Sequence, residues 1–293
     1  ACKSECPTQV DIATYKAEFM SAHYANRRRP LNHYPLAFIG NLLPSLSSFA
    51  GLTNILQSGI TGKLTQKYLG LSDEKGLPKL ARQSFTHWVT KNSTRSDERF
   101  YWFGGHDKPT VVLWADSVNN HYRPQLLQST INVLLKSGRQ VAVARDHFCC
   151  GRPLYEYGFL AQAVKQLKLI LDGFHANLPT DASVIVLEPS CLSVFKDELL
   201  KAFPDDARAI DLSKRVKTVS GFLTDESIVP IKRLNSGILH LHCHDKSLAV
   251  SSHEREWMHQ CFENLQEPES GCCGMAGTYG VKKKTRAIGQ RLF

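Results

Sequence analysis

The chain has 293 residues, 36 Lys and Arg against 27 Asp and Glu, a formal charge of +9 and 42% hydrophobic residues. That balance excludes a disordered or collagen-like chain, because enough apolar surface is available to offset chain ordering. Nine cysteines are too sparse for a disulfide-held mini-protein and, being odd in number, cannot all pair within the chain.

The first ten residues, ACKSECPTQV, lack the basic start and apolar core of a signal peptide. No stretch approaches the roughly 18 apolar residues of a spanning helix. A cytoplasmic protein is expected, or one peripheral at the inner face of the membrane. The start at Ala1 points to a fragment or a processed chain. Residues 11–24 carry Ile12, Tyr15, Phe19 and Met20 close to a helical stripe, which Arg27-Arg28-Arg29-Pro30 ends. Residues 35–62 are apolar but broken by Gly40, Pro44 and Gly51, which reads as short packed helices. The basic triplet just upstream makes a membrane-surface contact the sharper alternative.

From Pro109 the texture changes. Thr110-Val-Val-Leu-Trp114, Gln140-Val-Ala-Val-Ala144 and Ser183-Val-Ile-Val-Leu187 are short apolar runs, separated by helical patterns at residues 123–137 and 157–175. This describes βαβαβ with a parallel sheet, whose two helices share a face unless the strand order reverses. A weaker copy follows: a strand at Gly237-Ile-Leu-His-Leu241, a helix over residues 251–265, then Gly271-Cys-Cys-Gly274. Cys-Cys-Gly thus occurs at 149–151 and 272–274, and an internal repeat of roughly 120 residues is expected.

In an open parallel sheet, ligands bind beyond the carboxyl ends of the strands. The three strands deliver Asp116-Ser117, Cys149-Cys150-Gly151 and Glu188-Pro-Ser-Cys191 to that edge. Neighbouring cysteines point apart and suit two metal atoms of one cluster better than a single tetrahedral zinc. Thiolates are soft ligands that suit iron-sulfur clusters. Gly151 and Gly274 would let the backbone approach and free N–H groups for sulfur. A buried apolar pair is the bland alternative for Cys149 and Cys150, weakened by the second copy. Cys2 and Cys6 in Cys-x3-Cys-Pro match the tail of a bacterial ferredoxin run.

With these segments the chain resembles the cysteine-rich (CCG) iron-sulfur proteins: the CCG subunit of heterodisulfide reductase, the glycolate oxidase iron-sulfur subunit, and the iron-sulfur half of FAD-linked D-2-hydroxy-acid dehydrogenases. The nearest likeness is to the fused type, through Trp114-Ala-Asp-Ser-Val-Asn-Asn120, Cys149-Cys-Gly-Arg-Pro-Leu-Tyr155, Glu188-Pro-Ser-Cys191, His240-Leu-His-Cys-His244 and the segment 271–280. The resemblance implies an α/β protein with two related Rossmann-like CCG units containing parallel sheets, preceded by a helical, partly ferredoxin-like region. Residues 1–30 would be the remnant of a 4Fe-4S ferredoxin-type domain, 31–108 a helical connecting region, 109–225 the first CCG unit and 226–293 an incomplete second. The implied role is an oxidoreductase component that relays electrons through 4Fe-4S clusters from FAD to a quinone or other acceptor. The FAD would sit in a flavin dehydrogenase domain or subunit upstream of this chain, so no catalytic residue is expected here. The implied ligands are Cys2, Cys6, Cys149, Cys150, Cys191, Cys243, Cys272 and Cys273.

The family's first repeat has a cysteine after its first strand, where this chain has Asp116-Ser117, and its later C-x-x-C is Glu188-x-x-Cys191 here. Asp116 and Glu188 are therefore candidate oxygen ligands, with a structural role for each as the commoner reading. The last cysteine of the second repeat would lie beyond Phe293, and two ferredoxin cysteines would precede Cys2, so truncation at both ends is expected. His240, His242 and His244 alternate around Cys243, which on a strand puts three imidazoles on one face; His242 and His244 are candidates to ligate or tune a cluster. His147 is a similar candidate, and Cys261, in a helical stretch, reads as a core residue. A zinc-stabilised, non-redox interaction module is the alternative function. No recognition helix or stacking aromatics accompany the basic runs, so nucleic-acid binding is not expected.

Overall fold

The computed structural model describes residues 7–8, 10–72, 74, 76–248, 251–268 and 273–292. Cys2, Cys6, Gly271 and Cys272 lie outside them. Short helices come first: Ile12–His23, His33–Ala37, Ile39–Ser48, Ala50–Leu56, Gly59–Leu69 and Phe85–Asn92. Local chemistry sets their limits. Asp11 caps the first, accepting the Thr14 N–H at 3.1 Å, and Gly70 ends the fifth in the left-handed region at φ +70°.

A six-stranded sheet follows. Its strands are β1 (Arg95–Ser96), β2 (Phe100–Phe103), β3 (Thr110–Leu113), β4 (Gln140–Ala144), β5 (Ser183–Val186) and β6 (Val216–Thr218), in the order β1-β2-β4-β3-β5-β6. β3 through β6 are parallel to one another, whereas β2 runs antiparallel to both β4 and β1. The helical connecting region expected over residues 31–108 also contains two strands, β1 and β2. Phe100-Tyr-Trp-Phe103 is a run of aromatic strand formers, and it pairs Tyr101 with Val143 and Trp102 with Ala142.

The strand order does reverse: β4 lies on one side of β3 and β5 on the other. Helices therefore cover both faces. Helix Pro124–Lys136 packs Leu127, Ile131 and Leu134 against Val111, Leu113, Val141 and Val143. On the opposite face Leu167, Ile170, Leu171 and Phe174, from helix Leu160–Leu169 and its π-turn extension, pack against Val112, Ala142 and Val184. The reversal opens a crevice beyond the carboxyl ends of β3 and β5.

The second sheet has two parallel strands, β7 (Leu234–Ile238) and β8 (Phe262–Gln266), joined through helices Cys243–Ser247 and Ser251–Cys261. β7 begins and ends upstream of the strand read at residues 237–241. The chain is an α/β protein built on a mostly parallel sheet.

Candidate metal centre

Each parallel strand of the first sheet hands its next residues to the same edge. After β3, Asp116 caps helix Ser117–Tyr122: Oδ1 accepts the Asn119 backbone N–H at 2.8 Å and Oδ2 accepts from Asn119 Nδ2 at 2.8 Å. After β5, Glu188 caps helix Pro189–Ser193, accepting the Ser190 N–H at 3.3 Å. Both carboxylates thus have structural partners. Burial raises the Asp116 pKa against the bonds from Asn119.

The thiols of Cys149, Cys150 and Cys191 are buried at this edge and unpaired by disulfides. Cys150 and Cys191 share a hydrogen bond with their sulfurs 3.2 Å apart. Cys149 bonds to Cys150, and that bond together with burial pushes the Cys149 thiol well up. Cys150 is eased down by Cys149 but held well up by its bond to Cys191 and by burial. For Cys191 the bond to Cys150 also lowers, while burial and the charges of Asp116 and Glu188 raise it. Three soft donors therefore converge where thiolate is disfavoured until a cation compensates, which is the donor set a soft metal centre needs.

Donors to sulfur are in place as well. The Gly151 N–H and the Ser117 hydroxyl donate to Cys149, and the Arg152 N–H donates to Cys150. Gly151 has φ +83°, so a residue with a Cβ would be strained there. Gly40, from helix Ile39–Ser48, closes over the same point: a Cβ on it would collide with Cys149 Sγ. His147 lies beneath, its Nε2 3.2 Å from the Gly40 carbonyl oxygen, and burial lowers its pKa. Trp114 meets Phe174 and Phe195 edge-on with centroids 5.0 Å apart, and all three rings are buried.

The second segment meets this edge from outside. Three imidazoles alternating on a strand are not found, because β7 ends at Ile238 and Cys243 opens a helix that packs on Pro189–Ser193. A helical turn replaces alternation. His242 Nδ1 accepts the His244 N–H at 3.2 Å, the two rings stack 5.0 Å apart, and donor atoms of His242, Cys243 and His244 all lie within 4.8 Å. Burial lowers the pKa of both histidines, His244 to about 4. Arg152 ties the two segments together, pairing with buried Glu198 and placing Nη2 3.4 Å from His244 Nε2.

Cys273 is half-buried beside Gly274. Gly274 also lies tight against the Gly289 backbone of helix Arg286–Leu292, which an added Cβ would strike. The loop itself packs on helix Arg152–Glu156, with Thr278 Oγ1 2.8 Å from the Tyr157 hydroxyl. Cys261 ends helix Ser251–Cys261 half-buried, not in a core. Ser117 was already placed at this edge by its position after the first strand, whereas Gly40, Arg152 and Glu198 were not legible as site residues. Arg152, directly after Cys-Cys-Gly, was the nearest to a signal.

Residues 116–196 match the family model for the cysteine-rich CCG domain. The D-2-hydroxyglutarate dehydrogenase of Escherichia coli (strain K12) is 21% identical over 291 residues, which cover 97% of this chain but 28% of that protein. One subunit of the anaerobic glycerol-3-phosphate dehydrogenase of the same organism is 26% identical over 283 residues, covering 93% of this chain and 69% of that subunit. Lactate utilization protein A of Bacillus subtilis (strain 168) is 25% identical over 183 residues, 59% of this chain and 75% of that protein. The chain thus spans less than a third of the D-2-hydroxyglutarate dehydrogenases it matches. No solved structure matches it. The matched family is the one that the cysteine motifs resemble.

Proposed function

We propose that this chain, which carries a cysteine-rich CCG domain and has dehydrogenases and a dehydrogenase subunit among its relatives, is the iron-sulfur electron-transfer module of a flavin-linked 2-hydroxy-acid dehydrogenase. It would receive electrons from FAD in a separate flavin domain or subunit and pass them to a quinone or another acceptor. The observation that carries this reading is the convergence of buried Cys149, Cys150 and Cys191 beyond the parallel strands.

Those three thiols would hold a 4Fe-4S cluster, with Cys243, Cys272 and Cys273 as further ligands from the second unit. Cys2 and Cys6 would belong to a separate ferredoxin-type site. A cluster bound there supplies a one-electron carrier. The residues around it prepare the site. Ser117 and the amides of Gly151 and Arg152 donate to sulfur, stabilising thiolate over thiol. Gly274, with φ +70°, would turn the backbone next to Cys273, and His242 and His244 would stand beside Cys243 to tune it.

Iron, acid-labile sulfide and zinc are measured on protein purified without oxygen, with EPR spectra before and after reduction. Matching iron and sulfide with a reducible signal is expected. Cys150→Ser and Cys191→Ser should each lose most of both while keeping the far-UV circular dichroism, and Cys261→Ser should lose neither. The zinc-stabilised, non-redox module remains a second reading, favoured by the mixed donors of His242, Cys243 and His244. Stoichiometric zinc without sulfide would replace the electron-transfer reading with it.

A further inference from the structure

Helices Ala50–Leu56 and Gly59–Leu69 are packed the wrong way round for a water-facing surface. They bury only Ala50, Gly62 and Gln66, and turn their large apolar residues outward. Phe49, Leu52, Ile55, Leu56, Ile60 and Leu64 are 69, 59, 69, 52, 79 and 61% exposed. Leu52, Ile55 and Leu56 share one helix face, and Ile60 and Leu64 share another four residues apart. Scattered exposed apolar residues need no explanation, but a contiguous set of this size on two successive helices marks an interaction surface. None of the described helices is long and apolar enough to cross a membrane.

Charge indicates the partner. Residues 19–72 contain five Lys or Arg and no Asp or Glu. Lys63 and Lys67 lie on the second helix itself and are exposed. Tertiary packing adds a distant basic run: Lys283 N–H donates to the Gly70 carbonyl at 3.0 Å and Leu71 bridges to Lys282, so exposed Lys283 and Lys284 stand at the end of the helix. Glu74, the next described acid along the chain, is taken up by Arg286. Exposed Leu, Ile and Phe rimmed by lysines that make no ion pair among the described residues fit an interface that is apolar beneath and anionic above, which is a bilayer carrying anionic lipid.

We propose that helices Ala50–Leu56 and Gly59–Leu69 form a monotopic docking surface that lies in the headgroup layer of an anionic membrane. This rests on the proposed function only where that reading names a membrane-soluble quinone as acceptor. The preceding helix Ile39–Ser48 connects the two places: it carries Gly40 against Cys149 at its start and leads directly into the exposed face at its end.

The test is flotation of the full chain with vesicles of phosphatidylcholine alone or mixed with phosphatidylglycerol, at low and at about 0.5 M salt. The wild type should float with the mixed vesicles. Ile55→Ser/Ile60→Ser/Leu64→Ser should bind at least about tenfold more weakly with unchanged circular dichroism, since these side chains support no core. Lys63→Gln/Lys67→Gln should lose most of the preference for anionic lipid. A wild type that stays with the soluble fraction, or a triple variant that floats equally well, overturns the proposal. Light scattering run alongside detects the competing occupant: a wild-type dimer that the triple variant abolishes, without vesicle binding, assigns the face to a second copy instead. Because flotation needs no cluster, its failure leaves the electron-transfer reading standing, and absent iron leaves docking standing.

Discussion

Asp116 follows β3 at the carboxyl edge of the sheet, and its surroundings decide what it can do there. Both oxygens are engaged by Asn119, and the residue is 1% exposed at the start of helix Ser117–Tyr122. A cap this buried is worth about 1 to 2 kcal/mol. Asp116→Ala should therefore lower stability by that amount in urea, whereas Asp116→Asn, which can still accept the Asn119 N–H, should recover most of it. Iron content should be equal in the two variants. A loss of iron in stable Asp116→Asn would make the carboxylate a ligand instead. Asp is among the commonest residues to cap a helix start, so the sequence favours this role, and the two bonds from Asn119 supply its geometry.

Between elements, Arg152 helps to join the first Cys-Cys-Gly segment to the segment around Cys243. Arg152 opens the helix after the first Cys-Cys-Gly, pairs with Glu198 from the π-turn after Cys191, and reaches His244 from helix Cys243–Ser247. Glu198 is 8% exposed, and burial raises its pKa against the pull of Arg152. Removing the guanidinium leaves a buried carboxylate without its partner. Arg152→Ala should cost about 3 kcal/mol, and adding Glu198→Gln should return part of that, which a double-mutant cycle in urea would measure. The partnership spans 46 residues of sequence and could not be read from spacing.

At the scale of the molecule, buried histidines make stability depend on pH. His121 is 3% exposed, with Nδ1 2.8 Å from Ser47 Oγ on the helix that covers the cysteine edge. Burial, and secondarily the neighbouring His147, lower its pKa from 6.5 to about 4. The unfolded chain thus takes up the proton first as pH falls. The stabilisation is complete above pH 6.5 and is lost progressively as pH drops toward 4. By about pH 5 the loss from this residue should be about 2 kcal/mol. Urea midpoints at about pH 7.5 and 5 should show it, and His121→Gln, which retains a polar partner for Ser47, should flatten the decline. The same helix links the cysteine edge to the apolar face, so loosening it by acid should also weaken vesicle binding.

The sequence alone determined the alternation of short apolar runs and helical periods, and with it an α/β sheet whose carboxyl edge collects Cys149, Cys150 and Cys191. That much is legible because strand and helix periodicities are local, and the edge follows from parallel pairing. Strands β1 and β6 are only two and three residues long, and the aromatic run of β2 is too short to declare itself without β4 beside it. The turn of His242, Cys243 and His244 imitates strand alternation because its helix is five residues long, too short to show a period. Only the tertiary structure placed Gly40 on Cys149, joined Arg152 to Glu198 and His244, and set Lys283 and Lys284 beside Gly59–Leu69. Such contacts are fixed by packing between segments far apart in the chain, and composition and spacing carry no record of them.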